Sequence, residues 1–230
     1  MKQLKIYIAA VLFCFCSISI AQNVEKADYI QILIYGQSLG MGWEAPRAIT
    51  TESIDGNYML GTSPLMRGSY SASTTLNPLV ATTWDGGGEQ PIVSCVNVFS
   101  DLYRKNIDSE QKFIGMTGGE GGQTIEKLSK ECTNGNLYQS SFTSCPAIVY
   151  MQGEYNCNEP NWYKGQGLTP GSDGTIDKDE YKRLLLILKN NMQQDIMQKY
   201  GQGKKPLFFI YQTSGGYIKD LEMPIAMAQY

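Results

Sequence analysis

The chain has 230 residues, of which 42% are hydrophobic and 24 are glycine, and its formal net charge is -3. These values fit one globular domain with many tight turns, and the length is too small for two large domains. The sequence offers no basic stripe for a phosphate backbone, which excludes nucleic acid as the main partner.

The first 21 residues have the pattern of a secretory signal peptide. Lys2 and Lys5 precede an apolar stretch at residues 6–20, and small residues lead to a cleavage position after Ala21. The apolar stretch is short for a stable transmembrane span. We therefore expect an exported protein, secreted or periplasmic, with its domain at residues 22–230 and no membrane span after cleavage.

Cysteine usage fits an oxidising compartment. Signal removal takes away Cys14 and Cys16, each of which follows a bulky phenylalanine and so fits a lipid anchor poorly. Two disulfides can form among the four remaining thiols, and the pair that flanks a polar stretch, Cys132 with Cys145, is favoured, while other pairings with Cys95 and Cys157 stay open.

No metal site is expected in this chain. It has no CxxC spacing and no histidine, which argues against zinc. Residues 173–180 match only the second half of an EF-hand loop, and a turn leading into a helix cap explains the same residues.

Four apolar runs predict the buried strands of a parallel sheet. The first begins at Tyr29 and ends at Gly36, and the others cover residues 113–116, 147–151 and 207–211. Between the first two lie residues 44–90, which are poor in regular pattern and predict a substrate-facing insertion.

Helical patterns alternate with these runs. One begins at Pro91 and continues to residue 103, a shorter one covers residues 124–130, and a third begins at Pro224. The longest covers residues 178–200, with a capping box at its start and Gly201 at its end. The alternation predicts a doubly wound, flavodoxin-like α/β fold with helices on both faces and its chemistry at the carboxyl ends of the strands.

Polar residues follow three of the predicted strands. Ser38 follows the first, bracketed by glycines, and is either an exposed nucleophile or an N-cap serine. Residues 118–122 after the second are rich in glycine, which frees backbone N–H groups for an oxyanion or makes a flexible turn. After the third, Gln152 can present an amide donor, and Glu154 either orients a base or substrate hydroxyl or braces its loop.

The ordered blocks Gly-Gln-Ser, Gly-Gly-Gln-Thr-Ile and Gln-Gly-Glu resemble the first three blocks of the SGNH hydrolase superfamily. Within it they are most similar to the sialate O-acetylesterase and carbohydrate esterase family six branch. The resemblance covers residues 30–217 and implies an ester hydrolase that removes acyl groups from sugars or oligosaccharides through an acyl-enzyme, without a cofactor.

The resemblance also assigns roles to individual residues. It implies that Ser38 is the nucleophile and that its own N–H, a glycine N–H from Gly121 or Gly122, and the Gln152 amide form the oxyanion hole. Three further polar side chains in the same loops are expected to bind substrate: Gln37, Gln123 and Glu154.

The chain departs from the family pattern in one respect. SGNH enzymes carry a late Asp-x-x-His block that supplies the catalytic base, and these 230 residues contain no histidine. We expect the sheet to lack its last strand and the chain to be truncated before that block, and thus inactive by itself. The alternative is a non-catalytic glycan-binding protein on a degenerate SGNH fold, in which tryptophans stack on sugar rings: Trp43, Trp84 and Trp162.

Overall fold

The computed structural model describes residues 27–66, 73–84, 86–130, 138, 145–157, 174–213 and 224–230. These residues form a mixed α/β domain around one central, mostly parallel sheet flanked by helices, which confirms the predicted fold class. The signal peptide predicted at residues 1–21 lies outside the described residues, as do Cys132 and Trp162. None of the described helices is both long and apolar enough to cross a membrane.

The strand order of the sheet is that of a doubly wound fold. Its strands are β1 (Tyr29–Gly36), β2 (Asn57–Leu60), β3 (Leu65–Met66), β4 (Leu76–Pro78), β5 (Lys112–Gly119), β6 (Ala147–Met151) and β7 (Leu207–Ile210). They lie in the order β4-β2-β5-β1-β6-β7, with β3 also paired to β5, and every pair except β2 with β4 is parallel. The four predicted strands are β1, β5, β6 and β7, and the order reverses at β1, where such folds place their ligands.

Strand β5 is longer than its apolar run predicted. Gly118 pairs with Tyr35, and Gly119 pairs with Gly36, so both glycines belong to the strand and not to the loop after it. A Cβ on Gly119 would lie 1.9 Å from the Gly36 carbonyl oxygen, and its φ of +136° is unfavourable for other residues. Glycine here is what allows the strands to stay paired to their ends.

The stretch at residues 44–90 is not the irregular insertion that its composition predicted. It contains β2, β3 and β4, which extend the sheet beyond β5. The Glu89 carboxylate fixes the start of this stretch by accepting hydrogen bonds from the N–H groups of Ile49 (2.9 Å) and Thr50 (3.1 Å) and from the Thr50 hydroxyl (2.5 Å).

The described helices are α1 (Pro91–Asn106), α2 (Ile125–Leu128), α3 (Lys178–Tyr200) and α4 (Pro224–Gln229). Helix α3 has the predicted bounds, and the Asp177 side chain caps it by accepting from the Glu180 N–H at 2.8 Å. The other half of the predicted capping box is replaced by an ion pair, since the Glu180 carboxylate binds Arg183 at 2.6 Å. Gly201 ends the helix in the left-handed conformation, as predicted.

Among the described cysteines, Cys95 and Cys145 carry free thiols. Cys145 is thus unpaired in this structure, and its favoured partner, Cys132, lies outside the described residues. Burial raises the pKa of the Cys145 thiol to about 12, and its sulfur accepts a hydrogen bond from the Ala147 backbone. A thiol that is neutral and enclosed at the start of β6 is poorly placed for oxidation.

Candidate active site

Three loops leave the sheet at the same level, beside the point where the strand order reverses. Gly36 pairs with Gly119 on one side and with Met151 on the other, so the ends of β5, β1 and β6 lie side by side. The Gln37 N–H donates to the Met151 carbonyl at 2.9 Å, and the Glu120 N–H donates to the Gly36 carbonyl at 3.2 Å. These bonds hold the three loops together as they leave the sheet.

Ser38 is the first residue of a 3-10 turn, Ser38–Met41, that follows β1 directly. Gln37, and not Ser38, occupies the N-cap position, so the interpretation of Ser38 as an N-cap serine does not hold. The serine is half-buried, and the Trp43 N–H donates to its carbonyl at 2.9 Å. The turn thus fixes the serine backbone at the carboxyl end of the sheet.

The glycine loop after β5 lies against this serine. A Cβ on Gly121 would lie 3.8 Å from the Ser38 Cβ, which brings together two residues that the sequence analysis assigned to one site. The Gly121 N–H donates to Oε1 of Glu120 at 3.2 Å, a contact that the glycine-rich pattern did not predict. Within the described part of the chain, the N–H groups of Ser38 and Gly122 donate to no protein acceptor.

The Gln152 side chain is fully buried and hydrogen-bonded at both ends. Its Nε2 donates to Asn156 Oδ1 at 2.7 Å and to the Gln123 carbonyl at 3.2 Å. Its Oε1 accepts from the hydroxyls of Tyr181 at 2.7 Å and Tyr150 at 3.2 Å. The oxyanion role of Gln152 stays a prediction, and it requires one of the Nε2 bonds to be exchanged for a bond to the substrate.

The two tyrosines belong to a buried polar network that the sequence did not reveal. Burial raises the pKa of both the Tyr150 and Tyr181 phenols well above their usual range, so both stay neutral hydrogen-bond donors. The Gln229 amide on α4 donates to the Tyr181 hydroxyl at 3.2 Å and to the Gln152 carbonyl. Helices α3 and α4 thereby support the end of β6.

The remaining predicted site residues form contacts among the loops. Gln37, which is 3% exposed, donates from Nε2 to Oε2 of Glu154 at 2.9 Å and accepts at Oε1 from the Tyr155 N–H at 3.3 Å. Oε1 of Glu154 is buried and has no hydrogen-bond partner among the described residues. The Gln123 amide donates to the Gly121 carbonyl at 3.0 Å. All three side chains brace loops in this structure, and their roles in substrate binding stay predictions.

Comparison with known proteins shows similarity at the level of structure. No protein-family model matches the chain, and no curated protein matches it. A carbohydrate acetylesterase from Xanthomonas citri is 15% identical over 87% of this chain with a TM-score of 0.50, and the chain spans 46% of that protein's length. A protein from Arabidopsis thaliana is 13% identical over 86% of this chain and 79% of its own length, also with a TM-score of 0.50.

A third solved structure, that of NanS, is 13% identical over 82% of this chain and 79% of its own length, with a TM-score of 0.40. At these levels of identity the comparisons show a similarity of fold and not of the reaction. The chain shares the α/β fold of the Xanthomonas citri carbohydrate acetylesterase and of the Arabidopsis thaliana protein.

Proposed function

We propose that this chain carries the nucleophile and the oxyanion site of an exported carbohydrate O-acetylesterase of the SGNH hydrolase type. The observation that carries the proposal is the position of Ser38, at the reversal of strand order and against the Gly121 backbone, with 3.8 Å between the two Cβ positions. The ordered sequence blocks support it, as does the shared fold with a protein described as a carbohydrate acetylesterase.

The proposed reaction is acyl transfer through Ser38. Its Oγ attacks the carbonyl carbon of a sugar acetate while a base takes the hydroxyl proton, and the carbonyl oxygen becomes an oxyanion. The N–H groups of Ser38 and Gly122 stabilise that charge, a contribution of about 10²–10³ in rate for each oxyanion donor. Collapse breaks the bond to the sugar oxygen, which takes the proton, and water then releases acetate from the acyl-enzyme.

This mechanism needs a base to take the serine proton, and the 230 residues contain no histidine for that role. A serine hydroxyl without a base is a weak nucleophile near neutral pH. The oxyanion site alone retains catalysis of about 10³-fold over water. An externally added base is therefore the sharpest probe of Ser38.

The test is imidazole rescue of aryl-ester hydrolysis. The chain, the Ser38→Ala variant and the Ser94→Ala variant are incubated with para-nitrophenyl acetate over a range of imidazole concentrations, and acetylated residues are located by peptide mass spectrometry. Ser94 lies exposed on α1 and serves as the matched control. Imidazole should raise hydrolysis and Ser38 acetylation in the parent and in Ser94→Ala, above the background that Ser38→Ala defines. Equal hydrolysis rates in the parent and in Ser38→Ala would show that Ser38 is not the nucleophile.

A second candidate function, glycan binding without catalysis, is favoured by the same absence of histidine. It predicts saccharide affinity that persists in Ser38→Ala, with no acetylation of Ser38 at any imidazole concentration. The two functions therefore differ in the mass-spectrometric result and not in the binding result.

A further inference from the structure

An exposed tryptophan lies directly after the serine turn. The Trp43 N–H donates to the Ser38 carbonyl at 2.9 Å, which ties its backbone to that of the proposed nucleophile. Trp43 is 41% exposed. Burial of its indole would stabilise the fold, so this exposure is not explained by stability. An aromatic ring held at the surface beside a candidate active site is a feature of ligand-binding surfaces.

The backbone beneath this ring is built to hold it in place. A Cβ on Gly86 would lie 2.1 Å from Cζ3 of Trp43, so only glycine lets the indole lie against the chain here. The neighbouring Gly87 pairs in antiparallel fashion with Trp43 and with Trp84, whose ring centroid is 5.6 Å from that of Trp43. The ring is thus fixed before any ligand arrives, which lowers the entropy cost of binding.

A carboxylate in the glycine loop favours a neutral ligand at this site. The Glu120 carboxylate accepts from the Gly121 N–H at 3.2 Å, and Gly121 lies against Ser38. A carboxylate at that point repels a second negative charge brought in by the ligand. A neutral sugar avoids this repulsion, and its C–H face can lie on the electron-rich face of an indole.

We propose that Trp43 is the stacking surface of a saccharide subsite beside Ser38, and that this subsite takes a neutral acylated sugar in preference to an acidic one. The inference deepens the proposed function and rests on it. Trp84 fixes the orientation of the Trp43 ring from the side, while the exposed part of Trp43 contacts the sugar.

The test measures saccharide binding in the Ser38→Ala background, where the acyl group is not removed. Calorimetric titration with an O-acetylated xylooligosaccharide is compared for Ser38→Ala alone and combined with Trp43→Phe, Trp43→Leu or Phe99→Ala. Phe99 is the matched control because it is also 41% exposed but packs against Phe113, at the end of β5 opposite Gly119. Both Trp43 replacements keep an apolar side chain over Gly86, and circular dichroism checks that each variant is folded.

Trp43→Leu should weaken binding by about fivefold, the size of one aromatic stacking contact, while Trp43→Phe retains most of the affinity. Phe99→Ala should bind as the Ser38→Ala parent does, and O-acetylated N-acetylneuraminate should bind more weakly than the neutral sugar. The subsite is refuted by equal affinity of Trp43→Leu and the parent, by tighter binding of the acidic sugar, or by no binding of the neutral sugar in the parent.

Failure of the subsite and failure of the proposed function give different results. If imidazole-dependent acetylation of Ser38 occurs and saccharide binding is unchanged in Trp43→Leu, the subsite is refuted and the proposed esterase function is supported. Loss of binding in Trp43→Leu without any acetylation of Ser38 keeps the subsite and favours glycan binding without catalysis.

Discussion

The hydroxyl of Tyr181 on helix α3 donates a 2.7 Å hydrogen bond to Oε1 of Gln152 at the end of β6. An amide whose oxygen is fixed in this way has its nitrogen fixed as well, and Nε2 accordingly faces Asn156 and the Gln123 carbonyl. Since Gln123 directly follows Gly122, a helix remote in sequence sets the position of the glycine loop beside Ser38.

Tyr181→Phe tests this relationship. Removing one of two donors to a buried amide oxygen should lower the free energy of unfolding by about 1–2 kcal/mol. If the amide then turns, imidazole-dependent acetylation of Ser38 should fall by about tenfold, as expected when a positioning contact is lost. Denaturant unfolding and the acetylation assay measure the two effects separately.

Tyr35→Phe is the control for the Tyr181 variant. Tyr35 is also fully buried, and its hydroxyl donates to the Leu128 carbonyl at 2.8 Å. It should lose a similar amount of stability and keep the acetylation rate. An equal fall in acetylation for both variants would mean that the effect reflects general destabilisation and not the position of Gln152.

The elements that sequence reasoning located are those whose signals are local. Strand β6 is a continuous apolar run, β1 is one that only Gln31 interrupts, and α3 begins after a capping aspartate and ends at Gly201. The sequence did not predict the strands between residues 44 and 90, because they are four, two and three residues long. Each exists only by pairing with a distant strand, as Tyr58 pairs with Ile114, and no pattern within such a segment records that partner.

The contacts of the candidate site also differ in whether the sequence predicts them. Ser38 and Gly121 could be predicted to meet, because strand ends in a parallel sheet lie at one edge. The hydrogen bonds that Gln152 accepts from Tyr181 and Gln229 could not, because these two residues lie on other elements. On helix α3 the tyrosine lies among buried apolar residues, where its hydroxyl leaves no trace in the hydrophobic pattern.

The Gln37–Glu154 contact predicts an asymmetry between its two partners. Gln37→Ala removes the donor to Oε2 of the buried Glu154 side chain. Because Oε1 already has no partner among the described residues, both carboxyl oxygens would then lack a hydrogen bond there. The substitution should lower the free energy of unfolding by about 2 kcal/mol or more. Glu154→Gln keeps an acceptor for Gln37, so its cost should be about 1 kcal/mol or less. Equal losses, measured by denaturant unfolding at neutral pH, would contradict this account.

Glu89 should make stability depend on pH in the acidic range. Partial burial by itself raises the pKa of this carboxyl, but the hydrogen bonds from Thr50 and Ile49 outweigh it and hold the pKa below its ordinary 4.5. A depressed pKa contributes stability that is complete above the unfolded value and is lost as pH falls through the folded value. Glu89→Gln should therefore be less stable than the parent at neutral pH, by about 1 kcal/mol because solvent screens the site.

The measurement for Glu89 is the difference in unfolding free energy between parent and variant across the acidic range. That difference should be constant above pH 4.5 and shrink below it. Lys105, which pairs with Asp101 at the surface of α1, offers a control: Lys105→Gln should leave the pH profile of the parent unchanged. A difference that grows as pH falls would reverse the sign of the predicted linkage.

Two glycines beside Ser38 should respond in opposite ways to an added methyl group. A Cβ on Gly36 would lie 1.8 Å from the Met151 carbonyl oxygen, a backbone atom that cannot move without parting β1 from β6. Gly36→Ala should therefore cost about 4 kcal/mol or more, or prevent folding. Among the described residues, the same atom on Gly121 would meet Met41 Cε at 3.7 Å and Ser38 Cβ at 3.8 Å, which are ordinary contacts.

Gly121→Ala should consequently fold with nearly the parent's stability while placing a methyl group against the proposed nucleophile. We expect imidazole-dependent acetylation of Ser38 to fall by about tenfold or more, since the methyl group crowds the acyl group and the oxyanion donors. Thermal unfolding and the acetylation assay, run on both variants, separate the two effects. Full acetylation in a folded Gly121→Ala protein would mean that the substrate approaches Ser38 from a side that Gly121 does not line.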